Sequence, residues 1–148
     1  MGKIISVSNQ KGGVGKTTTS LSLAASLGVL EKKVLLVDAD PQGNASSGIG
    51  ISKDDYETSS YDVLLNQCKI EESIIQTKSP NLDIIPANID LVAVEIELVD
   101  ANKREYMLSN MLDKIKEIYD FIIIDCPPSL GLITINALTS SDSVIIPI

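Results

Sequence analysis

The most constraining feature of the chain is a succession of three patterns: an apolar run, a glycine-rich loop and a helical pattern. The run is Ile4-Ile5-Ser6-Val7-Ser8, the loop is Lys11-Gly12-Gly13-Val14-Gly15-Lys16-Thr17-Thr18, and the helical pattern begins near Lys16. Strand, glycine loop and helix in that order are the context a nucleoside-triphosphate loop requires. Glycines let the backbone bend tightly enough for its N–H groups to face phosphate oxygens. The N-terminus of the following helix adds unpaired N–H donors and a favourable dipole. The pattern assigns Lys16 to the β/γ-phosphates and the Thr17 hydroxyl to Mg²⁺, with Lys11 to Thr18 as the nucleotide-binding segment. One departure bears on mechanism. The usual first glycine falls where this chain has Gln10, and the next residue is Lys11, so the loop carries two lysines.

The rest of the chain alternates strand-like and helix-like runs. Strands are expected over Lys3 to Ser8, Val34 to Asp38, Leu82 to Ile85, Phe121 to Asp125 and Ser143 to Ile148. Apolar runs such as Val34-Leu35-Leu36-Val37 and Phe121-Ile122-Ile123-Ile124 read as buried on both faces. A helix is expected over Lys16 to Leu30, where Leu23, Leu27 and Leu30 recur at helical spacing. Residues 51 to 80 carry weaker patterns: one short helix around Asp62-Val63-Leu64-Leu65 and another holding Ile70, Ile74 and Ile75. Further helices are expected over Asp90 to Val99, over Tyr106 to Tyr119 with its stripe from Met107 to Ile118, and over Gly131 to Leu138. Strands separated by helices without a hairpin signal predict parallel βαβ units, hence a three-layer α/β/α fold with a mostly parallel sheet. The run from Ser143 to Ile148 reads as a strand without the helix that would close the sheet, so the chain is expected to be truncated at its C-terminus.

Composition narrows the function. With 148 residues the chain is one domain's worth. A net charge of -8 with a single arginine, Arg104, excludes a generally basic nucleic-acid surface on this segment, because such binding rests on phosphate neutralisation. The chain has no histidine, which rules out a His-based triad or His metal site here. Cys68 and Cys126 show neither metal spacing nor a disulfide framework, so a cytoplasmic location is expected. No run reaches the length of a membrane span and the N-terminus lacks a signal pattern.

Three chemically loaded loops each follow a strand: the glycine loop, Asp38-Ala39-Asp40-Pro41-Gln42-Gly43-Asn44, and Asp125-Cys126-Pro127-Pro128. In an open parallel sheet the C-terminal strand ends form the ligand crevice, so the three can converge. An acidic residue after an apolar strand is how phosphate-loop enzymes hold Mg²⁺, and Asp125 fits that part. Asp38 and Asp40 share a face if the strand persists, and either could orient water or hold the ion's shell. Cys126 reads as a small buried residue, since no base stands beside it.

These motifs together resemble the ParA/Soj partitioning ATPases, in the deviant Walker A class that includes MinD. The resemblance spans essentially the whole chain. It rests on Asn9 to Thr18, Val37 to Asn44, Leu82 to Leu91 with Pro86-Ala87-Asn88, and Asp125 to Gly131; Pro41-Gln42-Gly43-Asn44 favours the partitioning branch over MinD. The resemblance implies that the chain, residues 1–148, is the N-terminal part of a single P-loop ATPase domain (CbiA/ParA-like). It implies a Mg²⁺-dependent ATPase, slow without its partner, that alternates between monomer and ATP-sandwiched homodimer in chromosome or plasmid segregation. Lys11 would reach the other subunit's phosphates, Lys16 would bind those of its own subunit, and Thr18 would help with the α-phosphate. Asp40 would orient the attacking water, with Thr17, Asp38 and Asp125 at the Mg²⁺ shell. The implied partners are a ParB/Spo0J-like centromere-binding protein and non-specific DNA, held through a basic region beyond this segment, with a nucleoid-associated location. Two alternatives are a MinD-like membrane-associated division-site ATPase and a nucleotide-gated regulatory module that hydrolyses little.

Overall fold

A computed structural model of the chain describes residues 2–9 and 15–148. The elements run β1 (Lys3–Val7), α1 (Lys16–Val29), β2 (Val34–Asp38), α2 (Asn44–Gly48), α3 (Ser60–Leu64), β3 (Ile75–Gln76) and β4 (Leu82–Ile85). They continue with α4 (Val94–Glu97), α5 (Met107–Leu112), β5 (Phe121–Asp125), α6 (Leu132–Ser140) and β6 (Ser143–Ile145). One six-stranded sheet has the order β3-β4-β2-β5-β1-β6 and is parallel except for β3. This is the expected three-layer architecture.

The central strands are buried on both faces because each carries apolar residues at consecutive positions. Leu35, Val37, Ile122 and Ile124 pack on one side with residues of α3, α4, α5 and α6. Val34, Leu36 and Ile123 pack on the other with Ala24, Leu23 and Leu27 of α1. Pairing of Val7 with Asp125 and of Asp38 with Asp125 brings the C-terminal ends of β1, β2 and β5 level. That register positions the site. Among the described residues no helix is long and apolar enough to cross a membrane.

Three expectations need correction. Ile75, expected in a helix with Ile70 and Ile74, lies in the edge strand β3, which pairs antiparallel with β4. The connecting turn passes through Ser79-Pro80-Asn81, with Asn81 at φ 58°. The expected helix from Tyr106 to Tyr119 is α-helical only over Met107–Leu112. Beyond it the chain tightens, with Ile115 N donating to Leu112 O and Ile118 N to Ile115 O, while Lys116 O accepts from Gly2 N at 2.8 Å. The last strand ends at Ile145 rather than Ile148, ahead of Pro147, which has no N–H to donate to a ladder.

Candidate nucleotide site

The turn into α1 is made by Gly15, whose φ of 78° is a conformation that side chains strain to adopt. The first turn of α1 contains no acidic residue, so its free N–H groups and dipole are left for an anion. Lys16 follows at once and turns inward, 8% exposed. Its ammonium lies 2.9 Å from Asp125 Oδ1 and 3.4 Å from Asp40 Oδ2. Thr17 Oγ1 donates to Asp125 Oδ2 at 3.1 Å, and Ser20 Oγ lies 2.9 Å from Asp125 Oδ1. Asp125 is fully buried at the end of β5, with donors on both oxygens. Burial opposes the charge on Lys16, but the charges and hydrogen bonds of Asp125 and Asp40 outweigh it and hold the ammonium above its ordinary pKa. Lys16 is therefore a cation whenever the protein is folded at neutral pH.

Asp38 and Asp40 part company. The strand stops at Asp38, whose Oδ2 accepts from both the N–H and the hydroxyl of Ser46, at 2.9 and 2.7 Å. Its Oδ1 accepts from Asp40 N at 3.1 Å. Burial pushes the Asp38 carboxyl up to about 6 despite these donors. Asp40 turns the other way, towards Lys16, while its Oδ1 accepts from Gln42 N at 3.0 Å. Gly43 closes this turn at φ 66°, so near Ala87 O that an added Cβ would sit 3.0 Å from it. Ser46 Oγ also accepts from Ala87 N at 3.1 Å, tying the end of β4 to Asp38.

Of the residues singled out from the sequence, Lys16 joins Thr17, Asp40 and Asp125 into one cluster. Asp38 is next to them but bonded to Ser46, and Thr18 is exposed on α1. Lys11, Gly12, Gly13 and Val14 lie outside the described residues. Cys126 is buried, and burial pushes its thiol up to about 12, which is the behaviour of a packing residue. Sequence reasoning missed Ser20 and Ser46. Ser20 had a signal, its place one turn after Lys16 on the same helix face. Ser46 had none, because its role depends on α2 folding back over β2. Among the described residues no group of three or more His, Cys, Asp or Glu could hold a metal ion alone. The oxygens of Thr17 and Asp125 nevertheless suit Mg²⁺, which takes few protein ligands and completes its shell with phosphates and water.

A mostly parallel sheet, a glycine turn into a helix and a lysine set against Asp125 at one strand end and Asp40 in the loop after another define the P-loop nucleotide-binding class of α/β/α proteins. The family described as "AAA domain" matches residues 2–148, and the chain belongs to it, within the ParA/Soj group of deviant Walker A ATPases. It is 59% identical over all of its 148 residues to the sporulation initiation inhibitor protein Soj of Bacillus subtilis (strain 168), covering 58% of that protein. It is 53% identical, again over all of its length, to the chromosome partitioning protein ParA of Myxococcus xanthus (strain DK1622), covering 52% of it. Among solved structures, cobyrinic acid a,c-diamide synthase from Mycobacterium smegmatis with bound ATP analogue and magnesium matches with a TM-score of 0.96 at 41% identity. That match covers 100% of this chain and 60% of the other. The chain thus spans a little over half the length of these relatives.

Proposed function

We propose that this chain is the phosphate-binding part, residues 1–148, of a Mg²⁺-dependent ATPase that converts ATP and water to ADP and phosphate. The observation that carries the reading is a buried cation, Lys16, held between Asp125 and Asp40 at the N-terminus of α1. A phosphate at that helix end takes over Lys16, whose charge then meets the charge that develops on the transferred group. Thr17 and Asp125 would hold Mg²⁺, with Asp38 supporting its shell, and the ion would supply positive charge to neutralise the phosphates. Release of Lys16 frees Asp40 Oδ2 to orient the attacking water. Lys11 acts across an ATP-bound homodimer as a second cation, so nucleotide state and dimerisation form one coupled event. A solved relative with bound ATP analogue and magnesium supports the choice of nucleotide and ion.

The role in chromosome or plasmid segregation is supported by the relatives named for chromosome partitioning. It brings with it a ParB/Spo0J-like activator, non-specific DNA held through a region beyond residue 148, and a cytoplasmic, nucleoid-associated location. A regulatory use of the same switch is favoured by one observation, the relative named as a sporulation initiation inhibitor. Phosphate release by the full-length protein, with ATP binding measured in parallel, tests the reading. Hydrolysis that collapses in Asp40→Ala while binding persists supports it; hydrolysis unchanged in Asp40→Ala sinks the assignment of Asp40.

A further inference from the structure

Ser20 has no exposed surface and stands one turn beyond Lys16 on the inner face of α1. Its hydroxyl oxygen is 3.1 Å from Lys16 O and 2.9 Å from Asp125 Oδ1. A hydroxyl has one proton, so it serves one of these acceptors at a time. A serine inside a helix ordinarily bonds back to the carbonyl four residues earlier. Here the competing acceptor is ionised, and bonds to ionised acceptors are the stronger ones, so the proton belongs to Asp125.

The donors around Asp125 divide by oxygen. Thr17 serves Oδ2, whereas Lys16 and Ser20 share Oδ1. If Lys16 turns to a phosphate, Oδ1 keeps Ser20 alone. A fully buried carboxylate oxygen without a donor is costly, and a carboxylate free to rotate presents the wrong lone pair to a metal ion. Second-layer hydrogen bonds of this kind orient metal-binding carboxylates. We infer that Ser20 is the positioning residue of the metal site: its hydroxyl holds Asp125 in register for Mg²⁺ when Lys16 engages the nucleotide. The inference rests on the nucleotide reading above and adds a residue to it.

The test is a Mg²⁺ titration of fluorescent ATP-analogue binding to the full-length protein, repeated in EDTA, with thermal unfolding of each variant. In Ser20→Ala the half-saturating Mg²⁺ concentration should rise about tenfold or more, the loss expected for a hydrogen bond to a charged group. Affinity in EDTA should stay within about threefold of wild type. Ser20→Thr, which keeps the hydroxyl, should restore the wild-type midpoint, and Ser22→Ala, exposed on the same helix, should leave it unchanged. If Ser20→Ala does not fold, Ser20→Cys preserves the shape with a weak donor and should show the same shift. An unmoved midpoint in the folded Ala or Cys variant, with wild type Mg²⁺-dependent, overturns the role of Ser20 alone. So does a shift in Ser20→Thr as large as in Ser20→Ala, which would report volume rather than the hydroxyl. Binding by wild type that ignores Mg²⁺ overturns the nucleotide reading itself.

Discussion

Replacing Lys16 with methionine keeps the length of the side chain and removes its charge, leaving two buried carboxylates without their cation. Asp125 is fully buried and Asp40 is 4% exposed. Breaking a buried ion pair from one side costs about 3–5 kcal/mol, most of it the penalty of the orphaned charge. Asp125 would keep Thr17 and Ser20, and Asp40 would keep Gln42 N, so the low end applies. We expect a loss of about 3 kcal/mol, which at an m-value of about 2 kcal/mol per molar moves the urea midpoint down by about 1.5 M. The assay is equilibrium urea unfolding at neutral pH without nucleotide or Mg²⁺. The decisive comparison is the double variant Lys16→Met/Asp125→Asn, where the orphaned charge is gone as well. It should be more stable than Lys16→Met alone, a coupling that only a cycle isolates. A Lys16→Met protein as stable as wild type, or a double variant less stable than the single, would refute the reasoning.

Three further outcomes follow from the same geometry. Asp40→Asn should tighten ADP binding by about 5- to 30-fold, measured by calorimetry, because phosphate no longer competes with the Asp40 charge for Lys16; weaker binding contradicts this. Asp38 is raised from 3.8 to about 6, so the folded protein binds its proton more tightly than the unfolded chain. Its stabilising contribution is full below pH 3.8 and is lost as the pH rises through 6, about 3 kcal/mol in all; without nucleotide or metal, urea unfolding across this window should show the fall in wild type and not in Asp38→Asn. The Cys126 thiol, pushed up to about 12 and buried, should resist a thiol reagent at pH 8 while half-buried Cys68 reacts, with both reacting in denaturant; rapid native labelling of Cys126 would refute its burial.

What was legible in the sequence depended on how local its cause was. Val34–Asp38 and Phe121–Asp125 are legible to the residue because a short apolar run bounded by polar residues suits a strand buried on both faces and is too short for a helix. The start of α1 at Lys16 is legible because a glycine followed by a helical pattern marks a turn into a helix. The β3–β4 hairpin was not, since β3 contributes only two residues and Ser79-Pro80-Asn81 is a turn whose partner strand carries no pattern. The stripe from Met107 to Ile118 marks burial correctly for Met111, Leu112 and Ile115, yet it does not mark the helix end, because apolar spacing persists through the tighter turns that follow Leu112. At the site, residue types were legible but partners were not. Asp38 and Asp40 look equivalent in sequence, and they separate because Ser46 closes over one and Lys16 reaches the other.

The central claim, an ATP-driven switch in which Lys11 links two subunits, is tested most directly by DNA retention of the full-length protein. Retention should be compared in ADP, ATP and a non-hydrolysable ATP analogue, for wild type and Lys11→Ala, at two salt concentrations. The account predicts retention with ATP and the analogue, none with ADP, weakening at higher salt and loss in Lys11→Ala. Retention that ignores the nucleotide, or survives in Lys11→Ala, would contradict it.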